Sequence, residues 1–194
     1  VGSFHDKTLT ALVSEALANN LDLKIAAAQV ALAQQALVVA GSSLYPVVGA
    51  DLGGATTRNS QTDSSFQRTG GSIGASWEVD LFGRNRYAVE AATANVGTAG
   101  ENFNSVHAAL AAEVAATYTS LRANEAKMVV LKENITTREE TAQLASWRLK
   151  AGEADTLEAT QSQSSLETAR AAVPALEQAI SQGRNNLALL AGKM

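Results

Sequence analysis

The chain has 194 residues, enough for one domain with a sizeable core, a net charge of −4 with a pI near 5.2, and no cysteine. The acidic balance gives no support for nucleic acid as a partner, because nucleic-acid binding leaves a basic footprint. The missing cysteines exclude a disulfide framework, a thiolate zinc site and a cysteine nucleophile.

Aromatic residues make up only 5% of the chain, and much of its 46% hydrophobic content is alanine. That balance predicts long helices packed through small side chains rather than a compact globule. No run of 18 or more consecutive apolar residues occurs, so no transmembrane helix is expected, and no signal peptide is visible. The sequence starts at Val1 rather than Met, which reads as a processed or excised chain.

Residues 8–20, TLTALVSEALANN, read as a short amphipathic helix striped by Leu9, Leu12, Val13, Ala16 and Leu17 and stopped at Asn19 and Asn20. A second, alanine-rich helix runs from Asp22 to about Ser43 and ends before Tyr45-Pro46, since the residue before proline is pushed toward extended geometry. From Pro46 to Arg58 the period changes to two. Val48, Ala50, Leu52, Gly54 and Thr56 share one face, and Val47, Gly49, Asp51, Gly53 and Ala55 the other. Residues 58–71, RNSQTDSSFQRTGG, read as a polar, turn-rich loop. A second strand is expected over 72–82, with Ile73, Ala75, Trp77, Val79 and Leu81 apolar and Ser72, Ser76, Glu78 and Asp80 polar. It passes into a helix after Gly83 with no loop between. Strands of about ten residues with this alternation fit either a soluble hairpin with one face on a core, the commoner case, or a membrane barrel wall.

From Arg84 to about Lys150 one helical pattern persists, about 100 Å if unbroken, with Gly97 and Gly100 as possible bends. Leu110, Val114, Thr117, Leu121, Met128, Leu131, Ile135, Ala142 and Ala145 approximate a 3.5-residue seam with gaps. RLKAGEAD, 148–155, breaks it, with Gly152 suited to a left-handed helix end and Asp155 to a cap. A return helix over about 156–190 carries Leu157, Leu166, Ala169, Val173, Leu176, Ile180, Leu187 and Leu190, with Pro174 expected to kink or restart it. The order helix, helix, strand, strand, long helix, helix gives a mainly α fold with a two-stranded β segment. A two-stranded ribbon is not stable alone, so these strands must find partners.

Several segments carry a resemblance: LTALVSEALANNLDL (9–23), AGSSLYPVVGA (40–50), WEVDLFGRNR (77–86), LAAEVAATYTSLRA (110–123), RLKAG (148–152), ARAAVPALE (169–177) and NNLALLAGK (185–193). With these the chain resembles the outer-membrane efflux proteins, the TolC-like family, of the OprM and NodT lipoprotein type. WEVDLFGRNR is the most specific match. The resemblance implies one structural repeat, the N-terminal half, of a protomer that holds two. Three protomers, each giving four strands, would close a twelve-stranded barrel in the Gram-negative outer membrane, and their helices would continue it through the periplasm. On this reading residues 1–45 are N-terminal helices of the periplasmic barrel, and 46–83 are two membrane strands with an extracellular loop at 58–71. Residues 84–194 hold the long helix, a periplasmic tip near 148–155 and the return helix. The implied partners are a homotrimer, a periplasmic adaptor, an inner-membrane pump and outer-membrane lipid. The implied function is passive export of small molecules, with no enzyme chemistry, cofactor or metal. The alternative is an adaptor or helical-hairpin scaffold without a channel of its own.

The sequence departs from the family in three ways. The usual Ser and Asp, three and six residues past the tip glycine, are here Asp155 and Glu158. One repeat is present instead of two, and the lipidated N-terminal Cys is missing. Site candidates follow from these readings. Asp51, Glu78 and Asp80 are either a solvated strand face or lumen-facing acids that favour cations. Trp77, Phe82 and Gly83 mark the strand-to-helix junction, the two aromatics placed by the resemblance toward the periplasmic edge of the membrane. Arg148, Gly152, Glu153 and Asp155 are either ordinary turn chemistry or, by the resemblance, an adaptor-contacting and gating tip. His5 and His107 have no ligand-spaced partner and are not expected to bind metal.

Overall fold

The computed structural model describes residues 6–59 and 63–193, and His5 lies outside them. Six elements follow in order: α1 (Lys7–Asn19), α2 (Leu21–Ser42), β1 (Val47–Asn59), β2 (Ser64–Ser76), α3 (Arg84–Lys150) and α4 (Thr156–Leu190). They fall into two compact units, one of residues 1–24 with 104–194 and one of residues 25–103.

In the helical unit, Asp6 caps α1, its Oδ1 accepting the Thr8 and Leu9 backbone N–H groups at 2.8 and 3.3 Å. The other carboxylate oxygen accepts the Tyr118 hydroxyl at 2.7 Å, which ties the start of α1 to α3. Leu9, Val13 and Ala16, spaced i, i+4 and i+7, are the buried stripe of α1. The helix stops at Asn20, one of the residues expected to end it, and Asn20 does more than stop it. Its backbone N–H closes α1 on the Ala16 carbonyl, its Oδ1 accepts the N–H groups of Asp22 and Leu23 to open α2, and its Nδ2 donates to the Leu190 carbonyl. This buried amide is satisfied on every side, as a buried polar group must be.

From residue 104 on, α3 packs antiparallel to α4. Contacts run from Arg148–Glu158 through Arg138–Ser165 to Glu125–Arg184, numbers falling in one helix as they rise in the other, and Arg170–Glu139 joins the same two helices. The covered positions of α3 include 110, 114, 117, 121, 124, 128, 131, 135, 138, 142, 145 and 149, a seam in alternating steps of four and three. Asn124 and Arg138, both polar, fill the gaps that a search for apolar residues leaves. On α4 the seam is 159, 162, 166, 169, 173, 176, 180, 183, 187 and 190, with Ser162 and Gly183 in it. Leu157, expected on this stripe, is 60% exposed, because it lies in the first turn before the helix settles against α3. Pro174 neither stops nor restarts α4, which runs through it. Both helices end in the same closure. Gly152 (φ 76°) and Gly192 (φ 72°) take the left-handed conformation, while Glu153 N–H bonds the Arg148 carbonyl and Lys193 N–H the Ala188 carbonyl.

In the strand unit, β1 and β2 pair antiparallel from Val47↔Ser76 to Asn59↔Ser64. The expected limits of the second strand and of the loop need correcting. Residues 64–71, read as loop, are strand, and 77–82, read as strand, are not. Two physical reasons account for the shift. A ladder is made by backbone groups, so the glycine-rich SSFQRTGG pairs fully, and Gly71 leaves room for Leu52 opposite, whose Cδ2 would lie 2.7 Å from an added Cβ. At the other end Ser76 pairs with Val47, so Trp77 would have to pair with Pro46, which has no N–H to give. The two-faced pattern itself stands. Val48, Ala50 and Leu52 share a face with Ala75, Ile73 and Gly71, while Asp51 and Ser72 face the other way.

Without any continuous run of 18 apolar residues, α2 is still long and apolar enough to cross a membrane by length and mean hydropathy (1.5), and only 11% of its most apolar window is buried. Gln29, Gln34 and Gln35 interrupt the run without lowering its average much.

Candidate functional site at the junction and the hairpin tip

The junction is built from the seven residues between β2 and α3, so strand does not pass directly into helix as the pattern suggested. Leu81 N–H closes a tight turn on the Val79 carbonyl at 2.9 Å. Gly83 then turns at φ 83° and accepts the first bond of α3 from Tyr87 N–H at 2.8 Å, with the Tyr87 ring 3.1 Å from where a Cβ would stand. A glycine at this cap has no side chain to satisfy the free N–H groups of the first turn. Asp80 takes over: its Oδ2 accepts the Arg86 N–H at 3.0 Å, and Arg86 folds back to give its Nη2 to the Asp80 carbonyl at 3.1 Å. The Asp80 side chain is 12% exposed. Asp80 is therefore a helix-start clamp rather than a strand acid. Glu78 is exposed in the same non-strand segment, which leaves Asp51 as the one of the three acids that lies in a strand.

Two side chains lash this junction to the end of α2. The Trp77 indole N–H donates to the Leu44 carbonyl at 3.2 Å, and the Asn85 amide donates to the Ser43 carbonyl at 3.4 Å. The same stretch leaves Leu81 75% and Phe82 93% exposed. Trp77, Phe82 and Gly83 all lie in the segment between β2 and α3. Asn85 and Arg86 were missed, although the alternation of Asp80 with the GRNR cluster was a readable sign of a local clamp.

At the tip, Arg148 Nη1 donates to Glu158 Oε1 at 2.9 Å across the turn. Gly152 has open space around its Cα hydrogens, and Glu153 and Asp155 are exposed. Asp155 holds the cap position of α4, but its side chain makes no cap bond; it accepts the Thr156 hydroxyl at 3.1 Å instead. Arg148, Gly152, Glu153 and Asp155 thus share one turn, with the last two carboxylates open to solvent. Glu158, named only as a departure from the family, is the residue that closes the turn. His107, the other histidine, lies exposed on α3.

Residues 12–193 match the family described as outer membrane efflux protein. The chain is 30% identical over 196 residues to the probable efflux pump outer membrane protein TtgC of Pseudomonas putida, covering 97% of this chain and 40% of that protein. It is 28% identical over 192 residues to the cation efflux system protein CusC of Escherichia coli, covering 97% of this chain and 41% of the relative. Among solved structures, the outer-membrane channel OprN superposes with a TM-score of 0.87 at 26% identity, over 98% of this chain and 44% of its own. The chain thus spans about two fifths of the length of the curated relatives it matches. Nearly the whole sequence and the whole described fold carry the match, and the chain belongs to the outer membrane efflux protein family.

Proposed function

We propose that the protein serves in an outer-membrane channel of a tripartite efflux system, a passive conduit through which small molecules leave across the periplasm and outer membrane. The observation that carries this reading is the apolar face of the ribbon. Leu52 and Ile73 are 94% and 83% exposed, and Val48 69%, side by side on one face of a strand pair that joins no further strand among the described residues. Lipid on that face, and further strands on both edges, would satisfy the apolar surface and the backbone together, because only a closed barrel leaves no strand edge in a bilayer. Trp77 and Phe82 would then lie at the periplasmic edge of the membrane, and Asp51 would look into the lumen. Three copies would supply the closed wall, while the exposed tip carrying Arg148, Gly152, Glu153 and Asp155 would meet a periplasmic adaptor joined to an inner-membrane pump. The names of TtgC and CusC, an efflux pump outer membrane protein and a cation efflux system protein, support the class of function.

An antibody against this chain, used on fractionated cells of the source organism, tests the reading. An outer-membrane band that shifts to a trimer when the sample is not boiled supports it. A band near 20 kDa in the soluble periplasm overturns it and favours a helical-hairpin scaffold. The purified 194-residue chain is expected to give no step-like conductance in a planar bilayer, since two strands close no barrel.

A further inference from the structure

We propose that Arg138 is the register pin of the α3–α4 hairpin, the residue that fixes which side chains arrive together at the tip. Both seams repeat every seven residues, and a slip of one heptad lays apolar seam on apolar seam again. Such a slip moves one helix about 10 Å along the other, at 1.5 Å per residue. Towards the tip the seam is Ala142, Ala145, Ala159 and Ser162 before it ends at Leu149, and the small residues distinguish one register poorly from the next. The cross-helix ion pairs do little to choose, because the arginines of Arg148–Glu158, Arg170–Glu139 and Arg184–Glu125 are roughly half exposed or more and such pairs are weak. Gly183 accommodates Leu121, but an added Cβ would lie 3.4 Å away, a contact with some slack.

Arg138 differs from all of these. It is the one charged residue in the α3 seam, and among the described residues it forms no ion pair. Its guanidinium donates to the Ser165 hydroxyl across the hairpin. Asn124, the neutral amide two heptads before it in the same seam, carries no charge to strand in a wrong register. Arg138 lines a cleft of about 490 Å³ whose other polar walls are Asn134, Gln161, Ser164 and Thr168, all neutral groups with oxygens able to accept. A half-buried guanidinium with five donors needs acceptors nearby. In the observed register it has them. When α4 advances by one heptad, Ala171, Ala172 and Ala175 replace Ser164, Ser165 and Thr168, and the guanidinium keeps only Asn134 on its own helix and Thr168, moved into the place of Gln161; a slip the other way would set Glu158 in the place of Ser165, so Arg138 pins the hairpin against the advance of α4. A polar residue in a seam that selects register at a cost in stability is the best-attested use of such a group.

The register claim rests on these contacts alone; its consequence for an adaptor-facing tip rests on the proposed function. The chain's lack of cysteine makes the test direct. Glu133→Cys and Ala171→Cys, exposed on α3 and α4, carry a pair of spin labels whose separation is read by pulsed electron resonance, a measurement blind to transport. One distance is expected with Arg138 present. Arg138→Leu, at full helix content by circular dichroism, should melt at a higher temperature yet give a broadened or double distribution with a second, longer distance, because an axial slip of about 10 Å separates two labels that start nearly level. Arg138→Lys should restore the single distance. A single unshifted distance in Arg138→Leu overturns the proposal. Loss of helix content or a lower melting temperature in that variant also overturns it, since a seam leucine weakens the hairpin only if Arg138 was holding the fold rather than selecting the register.

Discussion

The two units are built from the same small-residue vocabulary and treat their apolar side chains in opposite ways. The helical unit hides Leu9, Val114, Leu121, Leu166 and Leu187 at 8% exposure or less. In the strand unit Ala26 is the only buried apolar side chain among the described residues, while Leu52, Ile73, Leu81 and Phe82 stand at 75% or more. The difference is one of geometry. Two helices joined by a short turn bury a seam against each other, and α1 adds a third stripe. Two strands have two faces and two open edges, and nothing within the ribbon covers either. The first unit buries a seam of its own, though Val129, Val130, Leu144 and Trp147 stay 55% or more exposed, and the second leaves nearly all of its large apolar side chains open.

That contrast breaks if core substitutions in one unit and surface substitutions in the other cost alike. The largest effect is expected at Leu9→Ala, about 3 kcal/mol by chemical denaturation followed at the helical signal, since a fully covered leucine leaves a cavity. Next comes Gly192→Ala, about 2 kcal/mol, because a left-handed backbone is combined with an added Cβ only 3.0 Å from the Asn19 carbonyl oxygen. Gly152→Ala has the same backbone demand in open space and should cost about 1 kcal/mol, so the difference between the two measures the crowding at Asn19 alone.

A smaller, pH-dependent effect belongs to Asp6 and Tyr118. The Tyr118 hydroxyl, then the Leu9 and Thr8 N–H groups, hold the Asp6 carboxyl below its ordinary value. A depressed folded pKa stabilises above the unfolded one, so this contribution is present at neutral pH and is lost as pH falls below about 4 towards the folded value. The same bond raises Tyr118 above 10.0, so its contribution is present below that pH and is lost as pH climbs through the raised value. Tyr118→Phe should flatten both limbs of a stability–pH curve measured by thermal melting, and an unchanged curve would show the bond to be idle. The smallest effect is expected at Leu52→Ser, within about 0.5 kcal/mol for the purified chain, because the side chain is already in solvent. The same substitution should weaken uptake of the chain into lipid vesicles, and unchanged uptake would remove lipid from the account of that face.

The helices were legible because burial writes its period into the sequence. The long helix was expected over Arg84–Lys150 and is found there, and most of its seam was visible in the apolar residues and Thr117, though not Leu149 at its end. It was invisible at Asn124 and Arg138, where the position is fixed by spacing and the residue itself is polar. The second strand was misplaced because polar and glycine residues such as Ser65, Thr69 and Gly70 look like a turn until a partner strand supplies their hydrogen bonds. Trp77, Phe82 and Gly83 were found as a junction from the abrupt change of period, whereas the Asp80–Arg86 clamp depends on a fold-back that no period records.

Sequence alone determined the order of elements, the helical seams, the two-faced strands, the glycine closure at 152 and the likeness to the efflux family, because each is a local preference or a repeat carried by consecutive residues. Tertiary structure alone decided where β2 begins and ends, that Asp80 clamps a helix instead of lining a strand, that Asn20 binds α1, α2 and the end of α4 together, and that Arg138 meets Ser165. Each of these depends on a partner distant in the chain or on a backbone group, and neither leaves a mark in hydropathy or period.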